Sequence, residues 1–268
     1  MKTYYYVHTG HRIGLDRFRR AAAILNALQS DITLLTSDYR IAQAAREFGI
    51  EKSVGLDVVR NIPQIATNGD RLIFDSDEAN PIMLEDMKQF FSTFIPIKNA
   101  TIVGASDYIS ENQEKSVAMS YFFGDDDYEK DLEKNLDFIE GLDIHLQLGF
   151  YYFLDYETML QKRFPKNYEF EEYEDMIKET DILITASPQA VIDSLLSGGR
   201  PIYFQREDYT EDFNSRFESL NVPIIYNYDK NELNVIIKSL NERKYKKVSP
   251  DEDKIIELIK ENLALQLI

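Results

Sequence analysis

Basic, imidazole and glycine residues follow the first apolar run of the sequence, and together these residue types suit the binding of an anion. The segment 8–20 reads HTGHRIGLDRFRR and leads into a predicted helix. Glycines after a strand let the backbone approach a phosphate, and a helix N-terminus offers free N–H groups to it. Cations near that end oppose the helix dipole by up to about 1 kcal/mol each, unless an anion lies there. We expect an anion site here rather than a solvated basic face, and it would comprise Gly10, Arg12, Gly14 and Arg17.

Two side chains of the same segment are candidates for a catalytic base. His11 carries an imidazole, whose ordinary pKa suits proton transfer, and Asp16 carries a carboxylate at the start of the predicted helix. His8 could act in the same way, but we interpret it as a structural histidine. His145 lies inside a predicted strand and has the same structural interpretation.

A second polar segment lies in the carboxy-terminal half of the chain. A predicted strand leads into a helix through Ser187, Pro188 and Gln189, and such a loop presents its hydroxyl and backbone N–H groups to a ligand. Gln205 and Arg206 follow the next predicted strand. Ligands of open α/β sheets bind beyond the carboxyl ends of the strands. We therefore expect these five residues to contact a substrate.

Two acidic motifs permit metal chemistry, but both are interpreted as structural. Asp75-Ser76-Asp77 follows a predicted strand and could hold a divalent cation, although capping of the next helix is favoured. The run 123–127 (FGDDD) contains Gly124, where the backbone could pass close to a ligand, and aspartates that suit a helix N-terminus. We expect neither a metal nor another cofactor.

Short apolar runs alternate with helical patterns along the whole chain, which indicates βα units and mostly parallel sheets. The polar stretch 106–115 separates two such arrays. We predict an α/β protein with two Rossmann-like lobes that face each other across a cleft, with lobe boundaries at 1–113 and 114–248. The apolar pattern also predicts a helix over Met83–Phe94 and a strand over Ala100–Val103.

Composition limits the class of partner. The chain has 268 residues, of which 30 are basic and 47 acidic, so its formal charge is −17. Such a charge repels nucleic acids and anionic membranes. Cysteine is absent from the sequence, which excludes disulfides and thiolate chemistry. The sequence shows neither an export signal nor an apolar run of about 20 residues, so we expect a cytoplasmic protein without integral membrane association.

The run TDILITASPQAVIDSLLSGGRPIYF, followed by FNSRF at 213–217, resembles the carboxy-terminal lobe of the GT-B glycosyltransferase-like superfamily. Within it, the chain is similar to the peptidoglycan-precursor N-acetylglucosaminyltransferase and to the nucleotide-sugar hydrolase of pseudaminic acid synthesis. The hydrolase's amino-terminal motif resembles segment 12–20. The resemblance implies a nucleoside-diphosphate sugar that is held by the second lobe, 114–248, with its phosphates near 187–190. It also implies that the first lobe, 1–113, is the acceptor side and that a last helix, 249–268, packs back on it. The acidic residue that often contacts the ribose falls on Ser194, with Asp193 beside it.

The resemblance also bears on the reaction. The hydrolase's catalytic histidine would fall on Arg17, which cannot act as a base because its guanidinium stays protonated. An arginine can stabilise a departing diphosphate, which suits transfer. We predict metal-independent transfer of the sugar to an acceptor, with His11 or Asp16 as base.

Four alternatives stay open. They are a nucleotide-sugar hydrolase that uses His8 or His11, a sugar-nucleotide epimerase, a non-catalytic GT-B relative with a binding or regulatory role, and a GT-A enzyme in which Asp75-Ser76-Asp77 holds a metal. The nucleotide base, the sugar, the acceptor and the oligomeric state are left open.

Overall fold

The computed structural model of the chain describes residues 1–109, 114–209 and 212–263. Its contacts divide the chain into two compact units. Unit 1 comprises Met1–Gly10, Arg17–Ala105 and the chain from Asp251 onward, and unit 2 comprises His11–Asp16 and Ser106–Pro250. The predicted lobe boundary at 113 falls within 110–113, outside the described residues. The structure differs from the predicted division in one informative place, because segment 11–16 packs with unit 2.

Unit 1 is built on a five-stranded parallel sheet with the order β3-β2-β1-β4-β5. Its strands are β1 (Thr3–Val7), β2 (Ile32–Thr36), β3 (Ser53–Gly55), β4 (Arg71–Asp75) and β5 (Thr93–Pro96). Its helices are α1 (Asp16–Leu28), α2 (Tyr39–Ala44), α3 (Ile62–Ile65), α4 (Pro81–Phe90) and a last helix, α11 (Ile255–Leu263). Residues 4–7 of the central strand are all buried, as expected for a parallel strand that is covered on both faces.

A helix is present where one is predicted over Met83–Phe94, but it spans Pro81–Phe90 and so ends earlier than predicted. The predicted strand over Ala100–Val103 is wrong. Helix α4 ends at Phe90, and Phe91 already has extended backbone dihedrals. The strand is Thr93–Pro96, which pairs with β4. Its proline lies at the strand end, where the missing N–H costs the sheet little. Val103 forms only an isolated bridge with Asp251.

Helix α11 belongs to unit 1, as predicted for the last helix. Asp251 caps it, since its carboxylate accepts hydrogen bonds from the N–H groups of Ile255 (2.7 Å) and Ile256 (3.0 Å). Arg71 of β4 donates to the carbonyl of Leu263 at the other end. The amphipathic pattern of the final segment is thus satisfied by burial against unit 1.

Unit 2 is built on a six-stranded parallel sheet with the order β11-β10-β9-β6-β7-β8. Its strands are β6 (Val117–Phe122), β7 (His145–Gln147), β8 (Asn167–Tyr168), β9 (Thr180–Thr185), β10 (Arg200–Phe204) and β11 (Ile224–Ile225). Its helices are α5 (Asp131–Lys134), α6 (Leu154–Arg163), α7 (Tyr173–Glu179), α8 (Pro188–Leu196), α9 (Asn214–Ser219) and α10 (Lys230–Ser239). Two α/β units on parallel sheets confirm the predicted pair of Rossmann-like lobes.

None of the helices within 1–109, 114–209 and 212–263 combines the length and the apolar character that a bilayer crossing requires.

A buried ion pair fixes α1 on the sheet of unit 1. The Arg20 guanidinium donates two hydrogen bonds to the Asp75 carboxylate, from Nε to Oδ2 at 3.0 Å and from Nη2 to Oδ1 at 2.6 Å. Tyr5 donates a third hydrogen bond to the same carboxylate at 3.1 Å. Both charged side chains are almost fully buried, at 3% and 2% exposure.

We expect Asp75→Asn to lower the free energy of unfolding by about 3–5 kcal/mol, because it leaves the buried Arg20 charge without its counter-ion. Urea unfolding followed by circular dichroism measures the change. The matched control is Asp31→Asn, since the Lys52–Asp31 pair is exposed and such pairs contribute about 0–1 kcal/mol. Equal effects of the two substitutions would contradict the role assigned to the buried pair.

Candidate functional site

The candidate site lies at the carboxyl edge of the unit 2 sheet. Because all six strands are parallel, the loops that follow β6, β7, β9 and β10 emerge at one edge. Segment 11–16 packs in the same unit. Most residues that the sequence predicted as site residues lie on these loops.

His11 contacts a buried carboxylate of unit 2. Its Nδ1 lies 3.0 Å from Oδ1 of Asp126, whose side chain is 2% exposed, whereas the imidazole itself is partly exposed. A carboxylate accepts a hydrogen bond, so in the neutral imidazole Nδ1 carries the proton and Nε2 keeps its lone pair. This pairing supplies an oriented group that can accept a proton.

Arg12 follows on the same loop and is exposed. Its guanidinium forms a 2.8 Å hydrogen bond with Glu129 and lies over the ring of Tyr128, 4.8 Å from the ring centroid. Both members of the ion pair are more than half exposed, so the pair contributes little to stability. Arg12 can therefore exchange its partner at low cost.

Asp16 meets the loop that precedes α8. The Ser187 hydroxyl donates a 2.5 Å hydrogen bond to Asp16 Oδ1, and Ser187 Oγ accepts the N–H of Ala190 at 3.1 Å. Ser187 is thus the N-cap of α8, and Pro188 occupies the first helical position, where a missing N–H is tolerated. Ser187 is fully buried.

The remaining predicted residues of α8 are buried inside unit 2, and two of them, Gln189 and Asp193, form side-chain hydrogen bonds there. Gln189 donates to Asp193 Oδ1 at 3.0 Å, and the Tyr173 hydroxyl donates to Asp193 Oδ2 at 2.9 Å. Ser194 is 1% exposed and packs closely against Gly199. The ribose contact expected of Asp193 and Ser194 stays a prediction, and burial stands against direct access to either.

Arg206 is buried and organises the loop after β6. It donates to the backbone carbonyls of Asp126 (2.6 Å) and Phe123 (3.3 Å) and forms a two-point ion pair with Asp208. Gln205 donates to the carbonyl of Arg206. Arg206 therefore supports the segment that carries Asp126, and its expected contact with a substrate stays a prediction.

Two predicted glycines lie next to one tyrosine. Gly124 has a φ of +116°, and a Cβ there would lie 2.5 Å from Tyr209 Oη. Gly14 has a φ of +72°, and its Cβ would lie 3.9 Å from the same atom. The Gly124 backbone therefore lies close to the Tyr209 side chain, and its expected approach to a ligand stays a prediction.

Gly10 and Arg17 belong to unit 1, apart from the residues above. Arg17 is buried, and its Nη1 donates to Asp77 Oδ1 at 2.7 Å. His8 Nδ1 lies 3.0 Å from the same oxygen. Hydrogen bonds from His8 and then from Arg17 hold the pKa of Asp77 well below its ordinary value. Arg17 therefore compensates a carboxylate of its own unit.

Carboxylates outnumber basic groups at the carboxyl edge of unit 2. The acidic residues that the structure describes on its loops are Asp16, Asp125, Asp126, Asp127, Glu129, Glu207, Asp208 and Asp212, and the basic ones are Arg12, Lys130 and Arg206. Burial raises the pKa of Asp127, whose carboxylate caps α5 by accepting from the N–H groups of Asp131 and Leu132. In the described part of the chain, no group of three or more His, Asp or Glu side chains is arranged to hold a metal ion.

Sequence reasoning missed the partners of His11. Asp126 was interpreted only as a helix cap, and the rings of Tyr128, Tyr151 and Phe153, which surround the imidazole, were not assigned to a site. The aromatic run 150–156 was a visible signal. Its proximity to His11 depends on tertiary structure and has no local signature.

We expect Gly124→Ala to destabilise the protein more than Gly141→Ala. Both positions have positive φ, which costs about 1–2 kcal/mol for alanine. Only Gly124 faces a close neighbour, and overpacking adds about 1–3 kcal/mol. Urea unfolding measures both variants. Tyr209→Phe in the Gly124→Ala background should recover the added part, and a lack of recovery would refute the steric explanation.

The low pKa of Asp77 predicts that the stability of the folded protein depends on pH. Because its folded pKa lies below the unfolded value of 3.8, ionised Asp77 contributes stability above that pH, and the contribution is lost as the pH falls further. We expect the melting temperature of the wild type to exceed that of Asp77→Asn at neutral pH. The difference should shrink below about pH 4. A difference that stays constant with pH would contradict the coupling.

No protein-family model and no curated protein matches the sequence. Solved structures share its fold, although their sequences are only about 10% identical to it. UDP-GlcNAc 2-epimerase of Methanocaldococcus jannaschii, in complex with UDP-GlcNAc and UDP, has a TM-score of 0.61 at 10% identity over 97% of this chain and 100% of that chain. HepE of Anabaena, in complex with UDP-glucose, has a TM-score of 0.57 at 10% identity over 99% and 100%.

The glycosyltransferase SnogD of Streptomyces nogalater has a TM-score of 0.55 at 10% identity, over 99% of this chain and 95% of that chain. At these identities the likeness concerns the fold. It agrees with the two parallel-sheet units described above, and the chain therefore has the GT-B-like fold that glycosyltransferases and UDP-sugar epimerases share.

Proposed function

We propose that this protein binds a nucleoside-diphosphate sugar and transfers the sugar to an acceptor hydroxyl without a metal. One observation carries the proposal: the loop after β1 packs in unit 2 and brings His11 against the buried carboxylate of Asp126. The candidate base thereby lies in the same unit as the predicted phosphate-binding loop.

The geometry at His11 fits general-base catalysis. Asp126 holds Nδ1, so Nε2 is the nitrogen that can take a proton from an acceptor hydroxyl. The oxygen then bonds to the anomeric carbon as the bond to the diphosphate breaks, and the diphosphate departs with the bonding electrons. The Asp126 carboxylate stabilises the imidazolium that forms, because the two opposite charges lie within hydrogen-bond distance of each other.

Arg12 is better suited than Arg17 to stabilise the leaving diphosphate. Arg17 is buried and engaged by Asp77, and its removal would leave that carboxylate without a counter-ion. Arg12 is exposed and bound to an exposed glutamate, so a phosphate can replace Glu129 at little cost. The N-terminus of α8 adds the positive end of a helix dipole beside Ser187.

The excess of carboxylates at this edge favours a second candidate function, that of a non-catalytic GT-B relative with a binding or regulatory role. The eight acidic side chains that the structure describes on the loops would repel a diphosphate unless Arg12 and the α8 N-terminus offset them. The same property separates the two candidates experimentally, because weak or absent nucleotide binding is expected only of the second.

We expect a nucleoside diphosphate to raise the melting temperature of the protein in the absence of divalent metal. UDP is tested first, since two of the similar structures contain UDP or a UDP-sugar. Selective binding to the folded state adds about 2.7 kcal/mol at a hundredfold excess over Kd. The screen covers UDP, GDP, CMP, dTDP and their sugars, with and without Mg²⁺ or Mn²⁺. No shift with any of them at millimolar concentration would favour the non-catalytic candidate.

We expect His11→Gln to lower the rate of nucleotide release from the identified donor by about 10²–10⁴-fold while nucleotide binding is kept, because a general base contributes about that much. Asp126→Asn should also slow release, through loss of the oriented imidazole. The matched control is His145→Gln, since His145 begins β7 and therefore lies at the amino-terminal end of the strand, opposite the carboxyl edge that carries the site. Unchanged turnover in His11→Gln would exclude His11 as the base, and release of free sugar without an acceptor would indicate hydrolysis.

A further inference from the structure

Three rings surround the His11 imidazole and form, with it, an aromatic cluster: Tyr128, Tyr151 and Phe153. The His11 ring stacks on Phe153 with centroids 5.6 Å apart and an angle of 15° between the planes. Its centroid lies 5.0 Å from that of Tyr151 and 6.0 Å from that of Tyr128. The cluster is formed entirely within unit 2.

The cluster is open to solvent on one side. Tyr151 is buried and supports it from below, whereas Tyr128 and Phe153 are 49% and 48% exposed and the adjacent Leu154 is 77% exposed. Burial of apolar surface is favourable, so exposed aromatic side chains grouped at the end of a sheet indicate a ligand surface. The Tyr128 and Phe153 rings meet edge to face, with centroids 6.2 Å apart.

Polar groups border the exposed rings. The Arg12 guanidinium lies over Tyr128, and the Glu129 carboxylate lies beside it. Guanidinium and carboxylate groups each present two parallel hydrogen-bonding positions, which match adjacent hydroxyl groups of a ligand. The surface therefore combines flat apolar faces with paired donors and acceptors at its border.

We propose that the aromatic cluster is a binding surface for a neutral saccharide that serves as the acceptor, an inference that rests on the proposed transfer reaction. A pyranose ring has one face of C–H groups, which packs on aromatic rings, and edges of hydroxyls, which bond to the Glu129 carboxylate that Arg12 leaves when it binds the diphosphate. The carboxylates of the loops disfavour an anionic ligand at the same surface.

The exposure of the cluster assigns it to the acceptor rather than to the donor. The residues predicted to contact the donor, Ser187 and Gln189, are buried. The cluster, in contrast, is open to solvent on one side. The imidazole that would deprotonate the acceptor hydroxyl belongs to the same cluster as the Phe153 ring on which the sugar would stack.

The test uses the full chain on an array of neutral and acidic oligosaccharides, followed by titration of the best neutral binder. We expect neutral saccharides to bind, and the double variant Tyr128→Ala, Phe153→Ala to lose affinity by about tenfold or more, as the loss of two aromatic contacts implies. Phe153→Leu keeps an apolar side chain without a ring and should also weaken binding. Tyr226→Ala is the matched control, because Tyr226 is 49% exposed in the same unit.

The outcomes separate this inference from the proposed function. A nucleotide-induced rise in melting temperature without saccharide binding would overturn the acceptor surface and leave donor binding standing. Saccharide binding that the double variant and Phe153→Leu keep unchanged would also overturn it. Saccharide binding that depends on the rings, in a protein that no nucleotide stabilises, would support the surface and overturn the transferase. Circular dichroism of each variant verifies that it is folded.

Discussion

The buried ion pair between Arg20 and Asp75 is the interaction on which the position of helix α1 in unit 1 depends. Two charges in a dry interior persist only when they are paired with good geometry, and here two guanidinium hydrogen bonds and the Tyr5 hydroxyl provide it. The pair holds helix α1 against β4, since Arg20 belongs to the helix and Asp75 ends the strand. The loop before α1 must consequently leave β1 and return within eight residues, from His8 to Leu15, and its side chains are confined to a small region.

The charged side chains of segment 8–20 bond to partners in both units. Arg17 and Arg20 bond to carboxylates of unit 1, whereas His11, Arg12 and Asp16 bond to residues of unit 2. In a protein of charge −17, carboxylates are abundant, and Arg12, Arg17 and Arg20 each pair with one. The anion site expected of Gly10, Arg12, Gly14 and Arg17 stays a prediction. The three arginines differ in availability, and only Arg12 of the three is exposed.

The sequence predicted the architecture better than the site. Alternation of apolar runs and helical patterns was sufficient for two parallel arrays, because burial on both faces of a strand leaves a local signature. The same alternation did not locate the elements of 83–103 correctly. The residues of strand Thr93–Pro96 continue the apolar pattern of helix α4, and no glycine separates the helix from the strand. At the site, residue types were predicted but partners were not. Arg17 finds Asp77 across 60 positions, and His11 finds Asp126 across 115, and such pairings follow from the fold alone.

The hydrogen bond between Ser187 and Asp16 sets a condition on any diphosphate bound at this loop. A serine hydroxyl has a single proton to donate, and in the structure it is donated to the Asp16 carboxylate. A phosphate oxygen that took this hydrogen bond would displace Asp16, and the two anions would then lie close together in a buried place, which is unfavourable. Phosphate contacts that leave Asp16 in position must come from backbone N–H groups at the start of α8 or from Arg12. Asp16 is for the same reason a weaker candidate than His11 for the base, because its carboxylate already serves to hold segment 11–16 on unit 2.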